Sequence, residues 1–411
     1  MIPPFSDFLI YLTGACVVSA AVHFILRTWL VPLWPQSRRR LPWLLLAALY
    51  PFGMLGLLYM NVLPRRLATP LFFTCFGWLG LSYFLLAAAL LSSPLSFVLR
   101  SCGSLSEARR ESLPRTLCRF AVGLALSLTL YSSYQGLRPP ALAVRRVELP
   151  RWPAAYDGFR IAHLSDLHVG ATIGRAEVQA TVDAVNAQAV DVVLITGDLV
   201  DGSVAELARE LAPLSDLRSR YGTFLALGNH EYFSPTEDWV RYLPSLGITV
   251  LRNQWLALPP CDLVGIDEWS APEFTPAHRP DLPAALAGRD PQRPAVVLVH
   301  QPQALWPLRQ LNRQARQAGR PPVADLQLSG HTHGGQIAPL GLLAGIQQGQ
   351  LQGLSRRDDL VVHVTSGVGY WGPPMRLGSR AEIAILVLSR PGSSAVPTIG
   401  PTAAVRDLSF R

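Results

Sequence analysis

Asp191-Val-Val-Leu-Ile-Thr-Gly-Asp-Leu-Val-Asp201 is the stretch whose reading decides the fold. Its first half is a short, unbroken run of β-branched and aliphatic residues. That is the signature of a strand buried on both faces, not of a half-exposed one. A glycine ends the run, and two carboxylates, Asp198 and Asp201, follow within four residues. Working outward, the same grammar recurs. Phe159–Ser165 is an apolar run that opens into Asp166-Leu167-His168, and Thr223–Leu227 opens into Gly228-Asn229-His230-Glu231. Ala295–Val299 opens into His300-Gln301-Pro302, and Asp325–Ser329 into Gly330-His331-Thr332-His333. Further strands are expected at Leu263–Ile266, Val361–Thr365 and Glu382–Leu388, and helices at Arg175–Ala189 and Val204–Leu217. Strands alternating with helices predict an α/β sheet, whose functional groups collect at the carboxyl ends of its strands. Five such ends would bring Asp, Asn and His side chains to one place.

The 411-residue chain is not uniform. Its charged fraction of 16% is low against the ~25% common in soluble proteins. It has no lysine: all 36 basic residues are arginine, a bias that reports base composition of the genome and not chemistry. Residues 1–151 carry net +11 and residues 152–411 net −3, so the basic character belongs to the first part and gives no reason to expect nucleic acid. Eight of the nine histidines fall in the second part. Of five cysteines only Cys261 does, which excludes a disulfide within that part, and no Cys-x-x-Cys spacing exists for a thiolate zinc ribbon.

The first part reads as membrane. Apolar stretches at 8–26, 41–63, 70–91 and 117–137 each approach the ~20 residues that span a bilayer. Trp29, Trp34 and Trp43 fall near span ends, where amphipathic rings prefer the interface. Asp7 and the lack of Arg before the first stretch argue against a cleaved signal peptide. Arg27, Arg38, Arg39, Arg40, Arg100, Arg109, Arg110 and Arg115 lie on one side of the four spans, against six arginines on the other. The positive-inside rule then puts the second part outside the cytoplasm. The expected organisation is a transmembrane region at 1–137, a linker at 138–155, the α/β domain at 156–390 and a loose tail at 391–411 rich in Pro, Ser, Thr and Ala.

Imidazole and carboxylate without thiolate suit Mn, Fe, Zn or Ni, and a site so rich in charge suits two ions. The five strand-end clusters together resemble the calcineurin-like metallophosphoesterases over about residues 156–390. The likeness is greatest to a bacterial membrane-associated branch, through Ser329-Gly-His-Thr-His-Gly-Gly-Gln336 and Gly372-Pro-Pro-Met-Arg-Leu-Gly378. The resemblance implies a four-layer α/β/β/α sandwich and a dinuclear site binding two divalent ions (Mn, Zn or Fe). Residue by residue, it implies that Asp166, His168 and His333 hold one metal and that Asn229, His300 and His331 hold the other, with Asp198 bridging. His230 would protonate the leaving oxygen, and Asp201 would orient it. One departure stands out. The phosphoprotein phosphatases of the superfamily follow the second Asp with an Arg, whereas here Gly202 follows Asp201. That points to a phosphodiesterase or pyrophosphatase.

Other residues leave alternatives open. Glu231 could bond within the site or support its loop. Gly334, Gly335 and Gln336 could let the backbone approach metal or phosphate. Arg376 could meet an anionic headgroup or brace a loop. The stretch Leu340–Ile346 could pack or meet acyl chains. His163 and His363 lie inside strands, and His278 in a Pro-rich loop.

The sequence therefore predicts a membrane-anchored, metal-dependent phosphoesterase, most naturally a phosphodiesterase for lipid-related or headgroup phosphodiesters. The alternatives are a UDP-diacylglucosamine pyrophosphatase-like hydrolase, a catalytically silent sensor or scaffold, and a transporter. The expected spans contain no carboxylate and only His23, which leaves a transporter little ionisable machinery.

Overall fold

A computed structural model of the chain describes residues 65–101, 105–339 and 341–393, together with 22, 24–26, 29 and 30. Two compact units are distinguished within it, one comprising residues up to Leu137 with Gly372–Met375 and the other the remainder from Arg138. In the first unit, α1 (Arg65–Ser101) and α2 (Glu107–Gly136) are both long and apolar enough to cross a bilayer. Only 28% and 17% of their apolar windows are buried, and Leu91, Phe97, Phe120 and Leu130 are among the large side chains left exposed. The expected spans at 70–91 and 117–137 fall within these two helices. Those at 8–26 and 41–63 lie outside the described residues, except that residues 22 and 24–26 are helical.

The second unit is built on two six-stranded mixed sheets. In chain order its elements are β1 (Ala141–Glu148), β2 (Phe159–Leu164), α3 (Arg175–Asn186), β3 (Val192–Ile195), α4 (Val204–Leu211), β4 (Thr223–Leu225), α5 (Thr236–Tyr242) and β5 (Ile248–Val250). Then come β6 (Gln254–Ala257), β7 (Asp262–Gly265), α6 (Ala271–Phe274), α7 (Leu282–Leu286), β8 (Ala295–Leu298) and α8 (Leu305–Gln317). The last are β9 (Leu326–Ser329), α9 (Leu342–Gln348), β10 (Gly353–Arg357), β11 (Leu360–Val364) and β12 (Glu382–Ser389). The first sheet runs β1-β12-β2-β3-β4-β5, with β2 to β5 parallel; the second runs β10-β11-β9-β8-β7-β6, with β11, β9, β8 and β7 parallel.

The sheets pack face to face through Ile161, Leu194 and Leu386 of the first and Leu263, Leu298 and Leu328 of the second, all essentially inaccessible to water. Because side chains alternate along a strand, Val264, Val297 and Val362 point the other way and meet Ala285 of α7 and Leu305 and Leu308 of α8. Ala162, Val193 and Ile195 are likewise buried on the outer side of the first sheet, where α3 and α4 bury Val178, Val182, Val185, Leu207 and Leu211. Burial on both faces explains why these strands read as unbroken apolar runs.

One expected boundary needs correction. Residues 138–155, read as a linker, contain β1, which pairs in parallel with β12 from Ala141↔Glu382 to Glu148↔Ser389. Its adjacent arginines, Arg145 and Arg146, put charge on a strand at the sheet edge, a common protection against edge pairing. Arg145 is held by Glu382 at 2.6 Å. The tail from 394 on lies outside the described residues.

Two histidines stitch the sheets together. His163 of β2 and His363 of β11 are fully buried, with Nδ1 atoms 2.9 Å apart, and His163 Nε2 lies 2.9 Å from Thr196 Oγ1. Burial holds His163 at a pKa of about 3, so the pair is neutral and one ring donates to the other. His163 is thus a core residue, as its strand position suggests, but one with a polar partner across the interface.

Candidate metal centre

Adjacent parallel strands deliver the first four donors. Asp166 and His168 follow β2, Asp198 follows β3 and Asn229 follows β4; His300 and His331 follow the neighbouring β8 and β9 of the other sheet. The turns that carry them are tight. Asp166, His168, Asp198, His331 and His333 all adopt positive φ, between 50° and 68°, a region that non-glycine residues avoid at some cost. Such strain concentrated on donor side chains is a mark of a functional site. Gly228 and Gly330 explain themselves in the same way. A Cβ on Gly228 would collide with the Asp198 carboxylate, and one on Gly330 with Ser165 Oγ and the Asp166 carboxylate.

All seven expected metal ligands converge. Asp166, His168 and His333 form one group, with His168 Nε2 3.0 Å from His333 Nε2 and His333 Nε2 3.5 Å from Asp166 Oδ1. Asp198, His300 and His331 form another, joined by Asn229. Asn229 Oδ1 lies 3.1 Å from both His300 Nε2 and His331 Nδ1. Asp198 stands between the groups, its Oδ2 being 3.1 Å from His300 Nε2 and 3.8 Å from His168 Nε2.

Hydrogen bonds behind the donors fix which ring atom faces inward. His300 Nδ1 donates to the Thr196 carbonyl at 2.6 Å, so Nε2 is the atom turned toward Asp198 and Asn229. His168 Nδ1 bonds Asp201 Oδ1 at 2.9 Å, which likewise turns its Nε2 inward. That Asp201 oxygen also takes His230 Nδ1 at 2.6 Å, turning His230 Nε2 toward Asp198, 3.9 Å away. The expected Asp201–His230 pair is therefore present, and Asp201 in addition orients His168, which the sequence did not reveal. His230 also joins His168 and Asp198 in a third convergent group.

The donor chemistry fits divalent cations. Burial and then the charge of His300 hold His331 at a pKa of about 3, and burial and then His168 hold His333 well down. Both rings therefore keep lone pairs to donate. His333 Nδ1 is buried and has no partner among the described residues. Burial alone would raise Asp198, but His300 and His230 outweigh it and keep the carboxylate ionised.

Several open alternatives are resolved. Glu231 supports the loops. It accepts from the backbone N–H groups of Asp198 at 3.0 Å, Leu199 at 2.7 Å and Gly228 at 2.7 Å, and burial followed by Asp198 raises its pKa to about 7. Arg376 is a buried brace, donating to the carbonyls of His333 (3.0 Å), Ser366 (2.7 Å) and Gly369 (2.6 Å). The Gln336 side chain ties two loops together. It grips the backbone of Trp371, donating to its carbonyl at 2.8 Å and accepting from its N–H at 3.1 Å. His278 lies 3.5 Å from Glu237, away from the donor cluster.

Two mixed sheets delivering a histidine–carboxylate centre from their parallel strand ends define an α/β protein built around a candidate dinuclear metal site. The calcineurin-like phosphoesterase family model matches residues 159–335. The chain is 37% identical over 303 residues to a bovine "Transmembrane protein with metallophosphoesterase domain", covering 70% of this chain and 65% of that one. A zebrafish protein of the same name is 36% identical, and the chain spans 60% of its length. An uncharacterized metallophosphoesterase of Helicobacter pylori is 35% identical over 285 residues, 68% of this chain and 72% of the relative. The chain belongs to the calcineurin-like metallophosphoesterases.

Proposed function

We propose that this protein is a membrane-anchored, dinuclear metal-dependent phosphodiesterase acting on lipid-related phosphodiesters. The observation that carries the reading is the Asp198 carboxylate standing between two donor groups, with His230 held beside it by Asp201. Asp166, His168 and His333 would hold one ion, Asn229, His300 and His331 the other, and Asp198 both. Divalent cations there supply the Lewis-acid charge for an in-line displacement at phosphorus. The chain's own contribution is proton handling. Asp201 fixes the Nδ1 of His230 at 2.6 Å, so that Nε2 is the ring atom that can give a proton to the leaving oxygen.

A diester is favoured over a monoester by what is missing from the site. Gly202 stands where a phosphate-gripping Arg would follow the second Asp, and both terminal nitrogens of the buried Arg376 are engaged by backbone carbonyls. The convergence of all seven donors with His230 speaks against a silent scaffold. The test is turnover by the manganese-loaded full chain in detergent, across phosphomonoesters, phosphodiesters, phospholipids and nucleotide-sugars. Diesters, phospholipids among them, should be hydrolysed fastest. A preference for monoesters or nucleotide-sugars, or no turnover at all, sinks the reading.

We also place the domain outside the cytoplasm, anchored in a bacterial inner membrane by four spans, with the α/β domain running to about residue 390. The apolar α1 and α2 and the arginine asymmetry between loops support this. A reporter active only after export, fused after residue 390, should be active. If only a cytoplasmic reporter works there, the orientation is reversed and a UDP-diacylglucosamine pyrophosphatase-like activity becomes the better reading.

A further inference from the structure

Beside His230, which is only 7% exposed, stands a rim of aromatic side chains left open to solvent. Phe233 is 54% exposed with its ring centroid 4.5 Å from that of His230; Trp371 is 56% exposed at 6.0 Å from the same ring. Phe274 extends the rim, 5.1 Å from Phe233 and 44% exposed. Isolated exposed apolar residues are ordinary, but three clustered rings around one catalytic candidate are not. The rim is also held in place. The Gln336 amide closes two hydrogen bonds onto the Trp371 backbone, and Gln336 stands three residues after the donor His333. The chain from Gln336 leads directly into α9, whose Leu342 and Ile346 are exposed as well.

We infer that Phe233, Phe274 and Trp371 form a subsite for the acyl portion of the leaving alcohol, with Gln336 as its positioning residue. The placement specifies the side of the phosphorus. Phe233 and Trp371 flank the proton donor and Phe274 lies beyond Phe233, so the apolar group belongs to the alcohol that departs and not to the one that stays. Water adds to phosphorus, the P–O bond to the acylated alcohol breaks, and that oxygen takes the proton of His230 Nε2. The proton lost by water restores the ring, and a phosphomonoester remains. The occupant is acyl chain because the same chain carries α1 and α2, which hold the domain at a bilayer, where acylated alcohols are the concentrated apolar ligands. This inference rests on the phosphoesterase reading for the role of His230, but the subsite can be tested by binding alone.

The experiment is calorimetry on the manganese-loaded full chain in amphipol, with dihexanoylphosphatidylglycerol and with glycerophosphoglycerol, which share the phosphodiester and differ in the acyl chains. The acylated ligand should bind at least about tenfold tighter, the effect of burying a modest apolar area. The double variant Phe274→Ala/Trp371→Ala should bring the two affinities within about threefold of each other. Trp371→Phe should keep the preference, and Gln336→Ala, which frees the Trp371 backbone, should lose part of it. Equal affinities in the natural protein, or a preference that survives in the double variant, overturns the subsite. Acyl preference without turnover of any phosphoester would uphold the subsite and sink the hydrolase reading instead.

Discussion

Asp198→Ala is expected to strip the protein of bound divalent metal and to lower turnover by about 10³–10⁴-fold. That factor corresponds to several kcal/mol of lost transition-state charge stabilisation. The natural protein, loaded with manganese and desalted, should retain about two ions per chain, as a bridged pair requires. No other side chain occupies the position of Asp198, whose Oδ2 lies within 3.9 Å of ring nitrogens of His300, His168 and His230. Removing it should therefore weaken both sites together, whereas His331→Ala should empty one first. Glu231 still holds the backbone N–H of residue 198, while the His230 loop loses the bond its N–H makes to Asp198 Oδ1 at 2.8 Å, so the fold of the variant is measured alongside. Asp198→Asn separates charge from shape: the amide keeps the volume and one acceptor but not the negative charge, and it should lose metal nearly as completely. Elemental analysis beside circular dichroism decides the matter. A folded Asp198→Ala protein that retains two ions, or a natural protein that holds one or none, contradicts the bridging role.

The core of the second unit and its metal centre were legible because both leave local traces. A strand buried on two faces reads as an apolar run, so Val192–Ile195 and Ala295–Leu298 declare themselves without help from the rest of the chain. Donors that must meet at the ends of such strands follow them directly in sequence. The family resemblance then implied seven positions among them, and the structure brings all seven together. What was not legible is what depends on partners distant in sequence. β1 carries two adjacent arginines and pairs with a strand more than two hundred residues later, so nothing local marks it as sheet. The His163–His363 contact has the same origin: each ring alone looks like a core residue, and only the packing of two sheets makes them a pair. The Gln336 side chain belongs with these: its hydrogen bonds go to Trp371, thirty-five residues on.

His230→Ala should lose about 10²–10⁴ in kcat on diesters with basic leaving groups while keeping both ions, the range typical for a positioned general acid. With nitrophenolate as leaving group the loss should shrink, since that oxygen needs little protonation to depart. The structure raises a direct rival, because His230 Nε2 also converges with His168 and Asp198 and could serve as a ligand. Metal content separates the two: a ligand takes an ion with it, and an acid does not. Asp201→Asn is the more revealing companion. One Asp201 oxygen orients both His230, at 2.6 Å, and His168, at 2.9 Å. Asp201 is ionised because these two imidazoles outweigh its burial, His168 most strongly, so the carboxylate is bound to both rings by charge as well as by hydrogen bond. The amide should therefore misorient the acid and at the same time loosen the first metal, by the about 10–100-fold typical of groups behind a ligand. The two variants should differ in kind. Added manganese should restore part of the Asp201→Asn activity and none of the His230→Ala activity. If His230→Ala loses an ion or slows both substrates alike, the ring is a ligand and not the acid. If manganese restores nothing to Asp201→Asn, the carboxylate acts on His230 alone.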